Sequence, residues 1–255
     1  MIPIKSERDL KVMRNACSIA ATVLDKLCLI AREGVSTLEI DLAAKDIMQE
    51  YSCRSACYHY RAGALRFPGY VCISVNDEVI HGIGSERKLK RGDIVSMDVS
   101  VIYQGFVGDN TRTVIIGECA PEVRKLVEAT DEALHSGISM ARAGNRVGDI
   151  SSAIQNCVKK YGYGIVEEFT GHGVGRNMHE EPQIPNYGKA KTGPLLKAGM
   201  TLAIEPMITM GSSRIIVGDD GWTVYTADGK PSCHIEHTVL VTDGDAEILT
   251  LPMRE

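Results

Sequence analysis

The chain has 255 residues, 44% of them hydrophobic and 24% charged, with a formal net charge of −5. An acidic balance argues against a dedicated nucleic-acid or membrane-surface binder, which would show a basic patch. No stretch reaches the roughly 18 apolar residues of a membrane span. In chain order, Ser6 followed by Asp9 forms a capping signal, a short acceptor with an acid three residues on. Helical periodicity then runs to about Arg32, where Gly34 stops it, and Ser36 with Glu39 opens a second helix to about Tyr51. From Val71 to Ile116 the pattern changes to β-branched runs broken by glycine. Pro121 starts another long helix that Gly144 ends, a further helix runs from about Val147 to Tyr161, and strand patterns return from Met200.

A core of this size needs neither disulfides nor structural zinc. The eight cysteines include no Cys-x-x-Cys pair; the closest two, Cys53 and Cys57, carry no metal signature, so they read as reduced thiols. The opening Met1-Ile2-Pro3-Ile4-Lys5-Ser6-Glu7-Arg8 is charged and lacks the apolar region of a secretory signal, which points to a cytoplasmic location.

The order of features repeats. Ala31-Arg32-Glu33-Gly34 is echoed by Ala141-Arg142-Ala143-Gly144, and each glycine is followed five residues later by an acid and isoleucine, Glu39-Ile40 and Asp149-Ile150. His81-Gly82-Ile83-Gly84 is echoed by His172-Gly173-Val174-Gly175. Leu89-Lys90-Arg91-Gly92 leads to Asp98 at the spacing by which Leu196-Lys197-Ala198-Gly199 leads to Glu205. The echoes suggest a duplicated α/β unit within one catalytic domain spanning 1–255, with halves of roughly 1–120 and 121–255 and a cleft where they meet.

Acids interrupt the strand patterns at equivalent places. If Gln104-Gly105 is a two-residue hairpin turn, Asp98 stands opposite Thr111, and Asp109 lies two places away on the same face. Such diagonal neighbours are roughly 7–8 Å apart, within reach of one metal centre. Glu205 and Glu236 sit in two further strand-like runs. Unpaired buried carboxylates are costly, so four converging acids call for cations, and an oxygen-rich ligand set suits Mn, Fe or Co better than a structural zinc cage. His172 is framed by glycines that let the backbone approach closely and aim the ring. His81 has a similar frame; His179, in Met178-His179-Glu180-Glu181-Pro182, is weaker by itself; His59 and His135 read as surface residues.

Together these strings resemble the type I methionine aminopeptidases. The resemblance rests on Gly171-His172-Gly173-Val174-Gly175, Met178-His179-Glu180-Glu181-Pro182, Ile204-Glu205-Pro206-Met207, Asp220-Gly221-Trp222-Thr223, Glu236-His237-Thr238, and Asn76-Asp77-Glu78 ahead of His81-Gly82. It implies the pita-bread fold, an α/β architecture of the α+β type, in which two pseudo-symmetric halves and an antiparallel sheet enclose a dinuclear metal site. It further implies that Asp98, Asp109, His172, Glu205 and Glu236 hold two divalent ions (Co, Mn, Fe or Zn), with Asp109 and Glu236 bridging. A metal-bridged water would be the nucleophile and Glu205 the general base. His179 would hydrogen-bond the scissile carbonyl and His81 the peptide nitrogen. Asn76 and Ser232 match positions near a monovalent-cation site. The implied reaction removes the first methionine of nascent polypeptides with a small second residue, with the ribosome as a transient partner and a monomer as the default state.

For the methionine pocket the resemblance implies Phe67, Cys72, Met178, Trp222, His81 and His179 as substrate-binding residues, since aromatic and sulfur-bearing side chains suit a thioether. The stretch 58–66 departs from the family pattern, Met178 stands where an aromatic is usual, and Gly84 replaces a usual proline; all three fit a retuned pocket. Rival readings are a proline-directed peptidase of the same fold and a non-catalytic paralogue. The former relatives usually carry an extra N-terminal domain, and the latter would be expected to lose ligands.

Overall fold

Both capping boxes form. Ser6 Oγ accepts from the Asp9 N–H while Asp9 accepts from the Ser6 N–H, opening helix α1 (Glu7–Ile30). Ser36 and Glu39 pair likewise at α2 (Thr37–Glu50). Two more helices follow, α3 (Pro121–Ile138) and α4 (Val147–Lys159). The computed structural model describes residues 2–253. Helix α3 stops short of Gly144, where the sequence pattern would end it. Past Ile138 the chain tightens into local turns, with Met140 N–H on the Gly137 carbonyl and Ala141 N–H on the Ile138 carbonyl, before Ala143 N–H bonds the Thr242 carbonyl and Gly144 N–H the Leu196 carbonyl. At Ala143 and Gly144 those cross-chain bonds outweigh local helical periodicity.

Gln104-Gly105 is the tight turn its sequence predicts. Both residues have positive φ, 48° and 82°, as a type I′ hairpin requires. Strands Ile94–Tyr103 and Phe106–Ile115 therefore pair over their full length, with Asp98 opposite Thr111 and Ser100 opposite Asp109. On the other edge of Ile94–Tyr103 lies Cys72–Val75, with Cys72 opposite Asp98. The later residues build a second antiparallel sheet in the order Glu180–Ile184, Gly171–Gly173, Thr201–Ile204, His237–Leu240, Glu247–Ile248. A smaller sheet pairs Ser232–His234 with Met207–Thr209, and Met207–Thr209 with Gly164–Ile165.

Helix α1 buries Leu10, Met13, Cys17, Ala20, Leu24 and Leu27, a stripe at three- and four-residue spacing, against the hairpin. At Gly108 the contact is so close that a Cβ would collide with the Ala16 carbonyl of α1. Helices α3 and α4 pack on each other and cover the second sheet, with Leu126, Leu134, Ile150, Ile154, Leu202 and Val239 in one cluster. Burying each such side chain contributes about 1.5–3 kcal/mol. Among the described residues no helix is long and apolar enough to cross a membrane.

Between the two sheets runs a polar seam. Thr111 and Glu236 exchange backbone hydrogen bonds, the Thr238 hydroxyl donates to the Asp109 carbonyl at 2.7 Å, and the Thr113 hydroxyl donates to the His234 carbonyl at 2.7 Å. Every one of these bonds involves a residue next to, or identical with, an acid or histidine of the site below.

Candidate metal centre

The hairpin projects Asp98 and Asp109 from one face, and the second sheet brings His172, Glu205 and Glu236 toward them. Asp109, His172 and Glu236 each offer a ligand atom within 4.8 Å of the others, and all three are buried. Glu205 joins them through Oε1, 3.3 Å from His172 Nε2, and His172 Nε2 lies 3.9 Å from Asp109 Oδ2. Asp98 stands beside them, and burial first, then the charges of Asp109, Cys57 and Glu205, push its pKa well above the usual carboxylate range.

Hydroxyls fix the acids. Ser100 donates to Asp109 Oδ1 at 2.6 Å and Thr111 to Glu236 Oε2 at 2.9 Å. What remains is unpartnered: among the described residues no hydrogen-bond donor reaches the buried Asp98 Oδ1 and Glu236 Oε1. The His172 ring has its Nδ1 3.0 Å from the Gly173 carbonyl, so Nδ1 carries the proton and Nε2 keeps its lone pair for the cluster. The flanking glycines are obligatory for this placement. A Cβ at Gly173 would strike the Glu181 carbonyl, and one at Gly171 would sit 2.5 Å from the Ala203 carbonyl.

In the protein alone these acids resist ionisation. Burial raises the pKa of Asp98, Asp109 and Glu236, and for Asp98 and Glu236 the charges of the other acids add to it. Glu205 is pushed up to about 8, by burial first and by the Asp109 charge after it. A buried group of acids, with carboxylate oxygens left unpartnered and one imidazole lone pair aimed among them, is a donor set that divalent cations satisfy. The residues fit such ions.

The cluster forms one wall of a cavity of about 390 Å³. Its apolar side is Phe67, Cys57, Cys72, Met178 and Trp222, with the Phe67 and Trp222 rings edge to face at 5.4 Å between centroids. His81 also lines the cavity, packed against Phe169 with their rings 5.5 Å apart. Its φ of 59° is rare for a side chain of this size, and the following Gly82 sits where a Cβ would collide with the Ile73 carbonyl. His179 is exposed at the rim, 4.5 Å from the His172 ring. Near Asn76 the Ser232 hydroxyl donates to the Asn76 and Glu78 carbonyls, at 3.2 Å each.

Several pocket residues carried no signal strong enough to single them out in the sequence. Tyr60 lies in the divergent stretch 58–66, which forms a small hairpin pairing Arg61–Ala62 with Leu65–Arg66 at the pocket mouth. Cys57, dismissed on spacing as a metal residue, packs with Cys72 and Phe67. His234 stands two residues before Glu236, the spacing that puts side chains on one face of an extended chain, and that spacing is the one sequence signal it carries. His59 and His135 are exposed, as the sequence suggests.

The sequence profile of Metallopeptidase family M24 matches residues 11–243. A methionine aminopeptidase of Clostridium perfringens is 44% identical over 251 residues, covering 98% of this chain and 99% of that protein. The crystal structure of methionine aminopeptidase from Rickettsia prowazekii superposes with a TM-score of 0.95 at 39% identity, covering 98% of this chain and 100% of that one. A prolidase from Pyrococcus horikoshii is more distant, with a TM-score of 0.76 at 26% identity, and this chain covers 64% of its length.

Proposed function

This chain belongs to metallopeptidase family M24, and from that premise we propose that it is a metal-dependent aminopeptidase that removes the N-terminal methionine from nascent polypeptides, favouring a small second residue. The observation that carries the reading is a juxtaposition. The Asp109, His172 and Glu236 ligand atoms lie within 4.8 Å of one another, on the wall of a cavity whose other side is Phe67, Cys72, Met178 and Trp222. A thioether is suited by that aromatic and sulfur-rich side.

In this reading Asp98, Asp109, His172, Glu205 and Glu236 hold two divalent ions, with Co, Mn, Fe and Zn all compatible with the donors. Ions bound there supply the positive charge that acidifies a water and polarises a carbonyl. Glu205 accepts the water's proton on its carboxylate. His179 donates a hydrogen bond to the scissile carbonyl as negative charge develops there, and His81 contacts the peptide nitrogen on the leaving side. The carbonyls of Asn76 and Glu78 beside the Ser232 hydroxyl form the place for a monovalent cation. The chain acts as one catalytic domain and as a monomer in the cytoplasm, with the ribosome a transient partner, and its halves at roughly 1–120 and 121–255 each supply ligands.

The test is to strip the metal, add back Mn, Fe, Co or Zn singly, and assay release of the first residue from Met-Ala-Ser, Met-Leu-Ser and Ala-Pro-Ala. Metal-dependent release chiefly from Met-Ala-Ser, lost in Glu205→Ala, is the expected result. Preference for Ala-Pro-Ala would move the chain to proline-directed hydrolysis. No release with any metal from a folded protein would end the enzymatic reading.

A further inference from the structure

Three of the site's anchoring contacts are hydroxyl or carbonyl bonds already described: Ser100 holds Asp109, Thr111 holds Glu236, and the Gly173 carbonyl holds His172. Glu205 has no such anchor. Among the described residues its carboxylate accepts no hydrogen bond, and only its backbone carbonyl is engaged, by Asn186 Nδ2 at 3.0 Å. A carboxylate that must present one oxygen to the cluster and receive a proton needs its rotamer fixed.

The group standing where that anchor belongs is His234. Strand Ser232–His234 pairs with Met207–Thr209, and Met207 lies opposite His234, which sets the imidazole beside the Glu205-Pro206 corner. The residue is 2% exposed, and its carbonyl is tied by the Thr113 hydroxyl. Among the described residues its Nε2 has no hydrogen-bond partner; it lies 3.3 Å from Glu205 Oε2, within reach of that oxygen but not aligned on it for a hydrogen bond, while Glu205 Oε1 faces His172 Nε2 at the same distance. The carboxylate is thus bracketed by two imidazoles, one per oxygen. His172 offers a lone pair for a cation; once a bound cation has ionised Glu205, a second lone pair against Oε2 would be repulsive, whereas a small turn of the ring lets an N–H there donate to it.

We propose that His234 is a positioning residue for Glu205: its Nε2–H donates to Glu205 Oε2 and so turns the carboxylate to serve the cluster through Oε1. This inference rests on the placement of Glu205 in the metal centre argued above. It accounts for a buried imidazole nitrogen that otherwise has no partner, and no role in contacting substrate is assigned to it.

The direct test reads the tautomer in the wild-type, Zn-loaded protein by long-range ¹⁵N–¹H correlation of its histidine rings. A proton on His234 Nε2 is expected; a proton on Nδ1 alone would overturn the proposal. Variants supply the second test. His234→Leu should lower kcat about tenfold with KM within about twofold, since a lost hydrogen bond to a charged group acts on the step that group serves. It should also change the visible absorption of the Co-loaded protein. His234→Gln, which keeps an N–H donor, should recover most of the loss. A Leu variant indistinguishable from wild type in kcat and in the Co spectrum would sink the idea, as would a folded Gln variant as impaired as Leu. Should the Leu variant not fold, the tautomer measurement decides. A wild type that releases no methionine with any metal, yet shows the Nε2–H tautomer and a bound-Co spectrum, would fail the enzymatic reading while leaving this contact standing.

Discussion

The Tyr60 hydroxyl lies 3.0 Å from Nδ1 of His179. With the phenol donating, Nδ1 is the acceptor and the ring proton sits on Nε2, the nitrogen left to meet a substrate carbonyl. The short hairpin at the pocket mouth therefore does more than wall the entrance: it sets the state of the histidine beside it. Tyr60→Phe is expected to lower kcat by about fivefold, the effect of one neutral hydrogen bond, with a smaller change in KM. Steady-state kinetics on Met-Ala-Ser checks this, and unchanged kcat would show that the hydroxyl leaves His179 indifferent.

Metal removal should make stability fall with rising pH above neutrality. In the metal-free protein Glu205 keeps its proton to about pH 8, against an ordinary value of 4.5, and Asp98 and Glu236 are raised as well. Groups that bind more protons folded than unfolded withdraw stability as pH climbs toward their folded values. The buried histidines His81, His234 and His237, lowered to about 4, work in the opposite sense but only below their ordinary value of 6.5. From pH 7 to pH 8 the acids dominate, and the buried thiols of Cys17 and Cys233, raised by burial, begin to act in the same sense, so the melting temperature of chelated protein should drop across that interval. Adding Mn or Co at pH 8 should restore it. A flat or rising melting temperature would contradict the raised acids.

Lys5 reaches across the molecule to the loop that carries His179. Its Nζ lies 2.7 Å from Glu180 Oε2, both side chains are under 10% exposed, and Glu180 Oε1 accepts from the Arg176 and Asn177 N–H groups. Lys5→Met strands a buried carboxylate and should cost about 3–5 kcal/mol. Hydrogen exchange at the Arg176 and Asn177 amides should rise with it, while a merely surface role would leave both protected.

Gly108 lets α1 rest directly on the strand that bears Asp109. Gly108→Ala forces apart two pieces of backbone, which no side-chain rotation relieves. The expected loss is at least the ~1–3 kcal/mol of ordinary overpacking, with weaker metal binding because Asp109 is the next residue. Calorimetric melting and metal titration on the same sample read both effects; a variant as stable as wild type would mean that the helix yields at no cost.

Legibility in the sequence followed the range of the forces involved. Capping boxes at Ser6 and Ser36 and the Gln104-Gly105 turn are local, and each formed where its residues implied. That turn alone fixed the register of Asp98 and Asp109. What periodicity missed involved distant partners: the segment between α3 and Gly144, whose Ala143 and Gly144 donors are held by Thr242 and Leu196, and the reach of Tyr60 to a residue 119 positions away. His234 escaped for another reason. Its imidazole matters only once the strand holding it is laid beside Glu205, and nothing local announces that pairing.

The seam bears on how the chain can be divided. Asp98 and Asp109 precede the exposed segment 117–120, while His172, Glu205 and Glu236 follow it, and the hydrogen bonds of Thr111, Thr113 and Thr238 cross between the two groups. Cut there and produced as separate polypeptides, each fragment would carry an incomplete ligand set. The apolar cluster of Leu10, Met13 and Phe106 with Val174, Ala203 and Leu240 would draw them together, and a cation serving the chemistry in the intact chain would add to the glue of a two-piece one.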